Sequence, residues 1–203
     1  MKITSCFAII VAMLFASAAE AQQTINGCLI KRRTSCPGAN LAGMDLTKSN
    51  LSNADLSSAN LSGANLSADK IADTNLTKAN LSGANLTGTI LSGTYLNSAN
   101  LSRATLDKAD LSQATLPDAN LREASLAGTN LSMTNLKGAD LTGANAKGAI
   151  FIMSSLTNAN LTRADLTEAT LVGTDLRNAI LVGTKFCKTT MPDRSVNNSG
   201  CPK

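Results

Sequence analysis

The chain has 203 residues, 43% of them hydrophobic but only 2% aromatic, with one Tyr and neither Trp nor His. That mixture excludes a core built around large rings, which carry much of the buried area of an ordinary domain, and it removes the side chain most often used as a general base. Charge is sparse at 16% with a formal balance of +4, so Leu and Ala must hold together a thin, regular core.

Residues 1–21 read apart from the rest. Lys2 gives a positive start, Cys6 to Phe15 is an apolar run, and Ala19-Glu20-Ala21 puts small residues where a signal peptidase reads them. The run is too short to span a bilayer, and the next cysteine, Cys28, lies too far on for a lipoprotein signal. The expectation is cleavage after Ala21, a chain starting at Gln22 with no membrane span, and a periplasmic or secreted destination. Four cysteines remain, Cys28, Cys36, Cys187 and Cys201. In an oxidising compartment they suggest two disulfides with three possible pairings.

Residues 22–38 form an N-terminal flank. Gly27-Cys28-Leu29-Ile30 reads as a short strand, followed by the basic run Lys31-Arg32-Arg33. Three charges could touch an anionic surface, but so small a patch mainly keeps the flank soluble. Because the pair Arg32-Arg33 follows the apolar run, it is not a twin-arginine signal.

From Leu41 to Phe186 the chain repeats every five residues without insertion, giving 30 repeats of which 26 have Leu at the centre. The exceptions are Ile71, Ala146, Phe151 and Phe186. Two residues before the centre sits Ala in 19 repeats and Thr in seven, and the residue just before it is Asn or Asp in 19. Neither regular element accepts this period. On a helix a five-residue step turns each Leu by about 140°, which scatters them around the axis. On a flat strand an odd step sends successive Leu to opposite faces. The pattern works only if the chain turns a corner once per repeat, with the small residue and the centre both pointing inward. Asn, Asp, Ser, Thr and Gly suit such corners.

The run Ala-Asn/Asp-Leu-x-x, as in Ala59-Asn60-Leu61-Ser62-Gly63, resembles the pentapeptide-repeat family over Ala39 to Lys188, about three quarters of the chain. The resemblance implies an all-β, right-handed quadrilateral β-helix with four repeats per coil. The thirty repeats would then stack as about seven and a half coils, a rod about 36 Å long at ordinary strand spacing. Residues 39–188 are the expected solenoid and 189–203 a C-terminal cap. Under that geometry the ends are too far apart to be bridged, which leaves Cys28–Cys36 and Cys187–Cys201. The flanks also resemble the cysteine-bearing ends of some exported members. Two Cys per end without His make a poor zinc set.

Three local departures stand out. Ala146 replaces a Leu, and Phe151 follows one corner later, where it can fill the vacated volume. Asp69 takes an inward position, so a distortion is expected around Asp69 to Asp73; an ion site on Asp69 and Asp73 would need partners that the sequence does not supply. Ile150, Ile152, Met153, Met133 and Val172 fall at outward positions on one side, with Ile90 further along. They form either an exposed apolar interface or a local repack that turns them into the core.

No glycine-rich phosphate loop breaks the repeat, and the corner Ser residues are explained by backbone capping. No catalytic residue, cofactor or metal is expected. Two further functions come into view, the first implied by the family resemblance and the second by the long regular surface itself. Some members imitate duplex DNA and bind a type II topoisomerase, which needs an acidic surface; residues 39–188 carry 12 Lys/Arg and 12 Asp/Glu, and no nucleic-acid role is expected. The other is a scaffold for an envelope or extracellular protein or glycan, with a homodimer possible. The row Asn40, Asn60, Asn80, Asn100, Asn120, Asp140 and Asn160 is either a glycan surface or an internal hydrogen-bonded ladder, and the ladder is the simpler reading.

Overall fold

A computed structural model describes residues 23–202; the expected signal over 1–21 and its cleavage site lie outside the described residues. The protein is a right-handed quadrilateral β-helix. Each repeat contributes a two-residue turn and one bridge residue, and the bridges run parallel at a spacing of twenty, such as Asn40 to Asn60 and Asn60 to Asn80. Four faces result. Face 1 carries the centres Leu41 to Leu181, face 2 Leu46 to Phe186, face 3 Leu51 to Leu171, and face 4 Leu56 to Leu176.

The backbone hydrogen bonds explain the period. In the regular coils the centre amide donates forward to the next coil, as Leu61 to the Asn80 carbonyl at 2.7 Å, and the bridge amide donates back, as Asn80 to Ala59 at 2.9 Å. The small inward residue closes its own corner, as Ala64 N–H to the Leu61 carbonyl at 3.0 Å. The first corner residue is left over, and the Asn or Asp just before the centre supplies its acceptor. Ser62 N–H donates to Asn60 Oδ1 at 3.2 Å, Thr47 N–H to Asp45 at 3.1 Å and Ser112 N–H to Asp110 at 3.0 Å. Asn and Asp are therefore bridge residues that cap the corner with a side chain, rather than corner residues themselves. The second corner residue is left-handed at every repeat, φ 62° at Gly63 and 57° at Arg103 alike, which is why Gly recurs there.

Leu, Ala and Phe151 fill the interior, and almost all are fully buried. Inward Thr side chains satisfy their hydroxyls across coils. Thr74 donates to the Leu51 carbonyl and Thr129 to that of Leu106, at 2.7 and 2.8 Å. Ala146 and Phe151 are both buried and the coil register runs through them unbroken.

The register extends past the expected 39–188. Arg33 N–H already reaches the Ser52 carbonyl, and Gly173 N–H reaches that of Pro192. Each end carries one hairpin. Strands β1 (Thr24–Ile25) and β2 (Cys28–Leu29) pair antiparallel at the front, while β3 (Thr189–Thr190) and β4 (Val196–Asn197) pair at the back. Cys28 is bonded to Cys36 and Cys187 to Cys201, with Cα atoms 5.6 and 4.6 Å apart.

The distortion expected at Asp69 to Asp73 lies instead one coil earlier. Residues 69–73 keep their turns and the forward bridge from Lys70 to Ile90, whereas the bridge between Asn50 and Lys70 is absent and Asn50 adopts φ 47°. Asp69, only 3% exposed, takes the Ser49 hydroxyl at 2.5 Å and the Asn50 amide at 2.9 Å. The partners needed by the buried carboxylate come from the neighbouring coil, and that coil bends to supply them.

Candidate functional site

Most outward polar side chains are occupied by the fold. In the Asn row, Asn100 Nδ2 donates to Asn80 Oδ1 and Asn120 Nδ2 to Asn100 Oδ1, both at 3.1 Å. The same oxygens cap Ser82 and Ser102 N–H at 3.2 and 3.1 Å. From Asn60 to Asn120 the row is thus an internal ladder in which each side-chain amide donates to the coil before it. At its far end Asp140 accepts from Thr142 N–H at 2.9 Å, Thr142 Oγ1 at 2.5 Å and Arg122 at 3.1 Å. Partial burial pushes the Asp140 carboxyl up, but these donors and the Arg122 charge outweigh it and hold it below the ordinary range.

A shallow groove beside this row is lined by Ser82, Ser102, Arg103, Asn120, Arg122 and Glu123. Its cations are paired, Arg103 with Glu123 at 2.8 Å and Arg122 with Asp140 at 3.1 Å. Exposed pairs of this kind add little stability, and they leave no uncompensated charge to hold an anion. Among the described residues no group of His, Cys, Asp or Glu has the arrangement of a metal site, and no helix is long and apolar enough to cross a membrane.

The apolar set is different. Met133 and Met153 are 59% and 66% exposed, and Ile150 and Ile152 are 37% and 38% exposed. Val172 is half-buried beside them. Ile150 occupies a bridge position of face 3 between Asn130 and Thr170; the others lie on the corner from face 3 to face 4. Backbone bonds join Met133 to Ile152 and Met153 to Val172 at 2.8 and 2.9 Å, which holds the corner side chains in successive rows. Gly173 gives Met153 its space, since a Cβ there would lie 2.5 Å from the Met153 sulfur. Face 3 keeps its register here, so these side chains point outward and do not refill the core. Ile90 is exposed three coils earlier but separated from Ile150 by Asp110 and Asn130.

Four other exposed apolar side chains escaped the sequence reading: Tyr95, Ile180, Val182 and Val196. Ile180 and Val182 could have been found by the rule that exposed Ile150, because they too replace polar residues at outward positions.

The sequence matches the family described as pentapeptide repeats, in eight copies over residues 34–68, 74–113, 119–152 and 154–191. A comparison with curated proteins found no match. Among solved structures, the chain is similar to HetL, a pentapeptide repeat protein involved in heterocyst differentiation regulation in Nostoc sp. strain PCC 7120. The two share 29% identity over 80% of this chain and 87% of that one, with a TM-score of 0.31. It is also similar to a pentapeptide repeat protein of the Arabidopsis thaliana thylakoid lumen, at 34% identity over 47% of this chain and 66% of that one, with a TM-score of 0.46. QnrB1, a plasmid-mediated fluoroquinolone resistance protein, shares 18% identity over 82% and 89% of the two chains, with a TM-score of 0.42. With the matched segments spanning well over half of its length, the chain belongs to the pentapeptide-repeat family.

Proposed function

We propose that the protein is an exported, non-catalytic scaffold that docks another protein on the apolar corner formed by Met133, Ile150, Ile152 and Met153. The observation that carries this reading is the exposure of four large apolar side chains on a rod whose outward positions are otherwise mostly polar. Contiguous exposed apolar surface tends to mark interaction sites, and Met adapts readily to partner surfaces. The absence of His and the structural use of nearly every polar row support a binding role over catalysis. Two disulfides support an oxidising compartment, in keeping with the signal read over residues 1–21. A balance of 12 cations and 12 anions over 39–188 argues against imitation of DNA.

The test replaces Ile150 with Asn and Ile152 with Ser, the residues found one coil earlier at 130 and 132. Wild type and variant are used as baits in envelope extract, with bound proteins identified by mass spectrometry. A partner held by wild type and released by the variant supports the proposal. Identical capture by both proteins would reject the corner as the docking site.

A further inference from the structure

The last coil ends on two unlike halves. Over faces 2 and 3 the C-terminal hairpin and the Cys187–Cys201 bridge cover it. Over faces 4 and 1 nothing among the described residues does, and Leu176, Ala179 and Leu181 are only partly buried, although the same positions one coil earlier are fully so.

The backbone is open along the same stretch. One coil earlier, Leu161 N–H donates to the Ile180 carbonyl, Arg163 N–H to the Val182 carbonyl, and the Ala159 carbonyl accepts from Ile180 N–H, at 2.8 to 2.9 Å. The corresponding Leu181 N–H, Gly183 N–H and Ala179 carbonyl have no partner among the described residues.

At this edge the sequence abandons its own rule. The bridge row of face 1 is Asn or Asp from residue 40 to 160 and becomes Ile180; the next row ends Thr142, Thr162 and then Val182. Ile180 and Val182 are 49% and 68% exposed. Ala179-Ile180-Leu181-Val182 is therefore apolar on both sides, the pattern of a strand covered on both faces, and it borders an open ladder. Exposed strand edges of this sort pair with added strands.

From these features we infer that the face 1 edge at Ala179 to Gly183 is a strand-addition site. Its occupant is an extended segment of another protein, apolar on both faces, which continues the parallel ladder. The incoming strand donates one N–H to the Ala179 carbonyl and offers two carbonyls, two residues apart, to Leu181 and Gly183 N–H. Its inward side chain completes the cover of Leu181, while its outward ones stack on Ile180 and Val182. This site shares no residue with the corner at Met133 to Met153, so either can fail without the other.

The probe is a labelled synthetic peptide copying Arg177 to Phe186, whose Ile180 and Val182 counterparts would meet the three open groups in register. Binding to the whole protein is followed by anisotropy, and amide exchange by NMR. The expected result is saturable binding with at least tenfold slower exchange at Leu181 and Gly183. A peptide with Pro at the Ile180 counterpart, lacking the N–H that Ala179 needs, should give neither. The protein variant Ile180→Asn with Val182→Thr restores the residues found at 160 and 162 and should bind at least tenfold more weakly with unchanged melting. Absence of protection at millimolar peptide, or equal protection by the Pro peptide, would overturn the inference. So would sedimentation showing a dimer in which these amides are already protected, because a second copy would then be the occupant.

Discussion

Asp69 and Asn50 are joined across adjacent coils by a hydrogen bond from the Asn50 amide to the Asp69 carboxylate at 2.9 Å, at the one place along the row where the bridge from Asn50 to Lys70 is missing. In the regular coils the bridge amide donates instead to a backbone carbonyl of the preceding coil, as Asn80 does to Ala59. Hydrogen bonds to charged groups are worth more than neutral ones, and a buried group left without its partner costs about 1–3 kcal/mol. Asp69→Ala follows the family pattern at this position, yet it should destabilise the protein by about that amount. Urea unfolding measures the loss, and amide exchange should place it in coils containing Ser49 and Asn50. A more stable Asp69→Ala protein would mean that the regular bridge forms once the carboxylate is gone.

The Cys187–Cys201 bridge closes a segment with a separation of 14 residues and ties the final hairpin to face 2. Chain-entropy arguments assign a loop of that size about 3 kcal/mol. The double variant Cys187→Ser with Cys201→Ser should lose about 2–4 kcal/mol and become open to proteolysis between Pro192 and Cys201. Peptide mapping of the unreduced protein should give only the 28–36 and 187–201 links.

Inward Thr and inward Leu should respond very differently to substitution. Thr134 Oγ1 donates to the Leu111 carbonyl at 2.9 Å, but that carbonyl also takes the Ala114 amide at 3.0 Å. Removing the hydroxyl by Thr134→Val leaves no orphaned acceptor, so the cost should stay at or below about 1 kcal/mol. Leu111→Ala instead opens a cavity in a fully buried ladder and should cost about 2–5 kcal/mol. Denaturant midpoints of the two variants would give the order directly.

Much of this was legible because the pattern is repeated thirty times. Leu spacing alone demanded a corner in every repeat, and the small residue two positions before fixed which side chains share the interior. The location of the strain was not legible. Asp69 is visible as an inward charge, but its partners Ser49 and Asn50 lie a coil away, and sequence spacing does not show which backbone will bend. The open edge at Leu181 was hidden for a similar reason. It depends on which faces the residues after Lys188 cover, and the final flank carries no repeat to place it. Ile180 and Val182 did carry the signal in their polarity.

Acid should weaken the far end of the Asn row. The Asp140 carboxyl is held below the ordinary value of 3.8 despite its partial burial, chiefly by the Thr142 donors and then by Arg122. A folded value below the unfolded one means that the unfolded chain binds the proton first. The stabilisation is therefore complete above the ordinary value and lost as pH falls through the depressed one. Asp140→Asn keeps an oxygen to cap Thr142 but has nothing to protonate. Its melting temperature should fall less between pH 7 and pH 3 than that of wild type; equal falls would show that Asp140 makes no contribution.

Because Ile150 and Ile152 flank Phe151 in sequence yet point the opposite way, substitution can separate surface from core within three residues. Ile150→Asn and Ile152→Ser install the residues that already occupy 130 and 132 in the same rows. Neither side chain fills the interior, so the pair should change stability by no more than about 0.5 kcal/mol, the range of an ordinary surface change. Phe151 is fully buried, and Phe151→Ala should cost about 3–5 kcal/mol. Equilibrium urea unfolding of both variants decides the matter. A large loss in the Ile pair would mean that these side chains pack inward in solution, and the corner would then be part of the core. An unchanged midpoint leaves the two Ile residues with no structural reason for being apolar, since Asn130 and Ser132 serve the fold equally well in the preceding coil. Burial against a partner is then the remaining physical reason for an apolar corner on this rod.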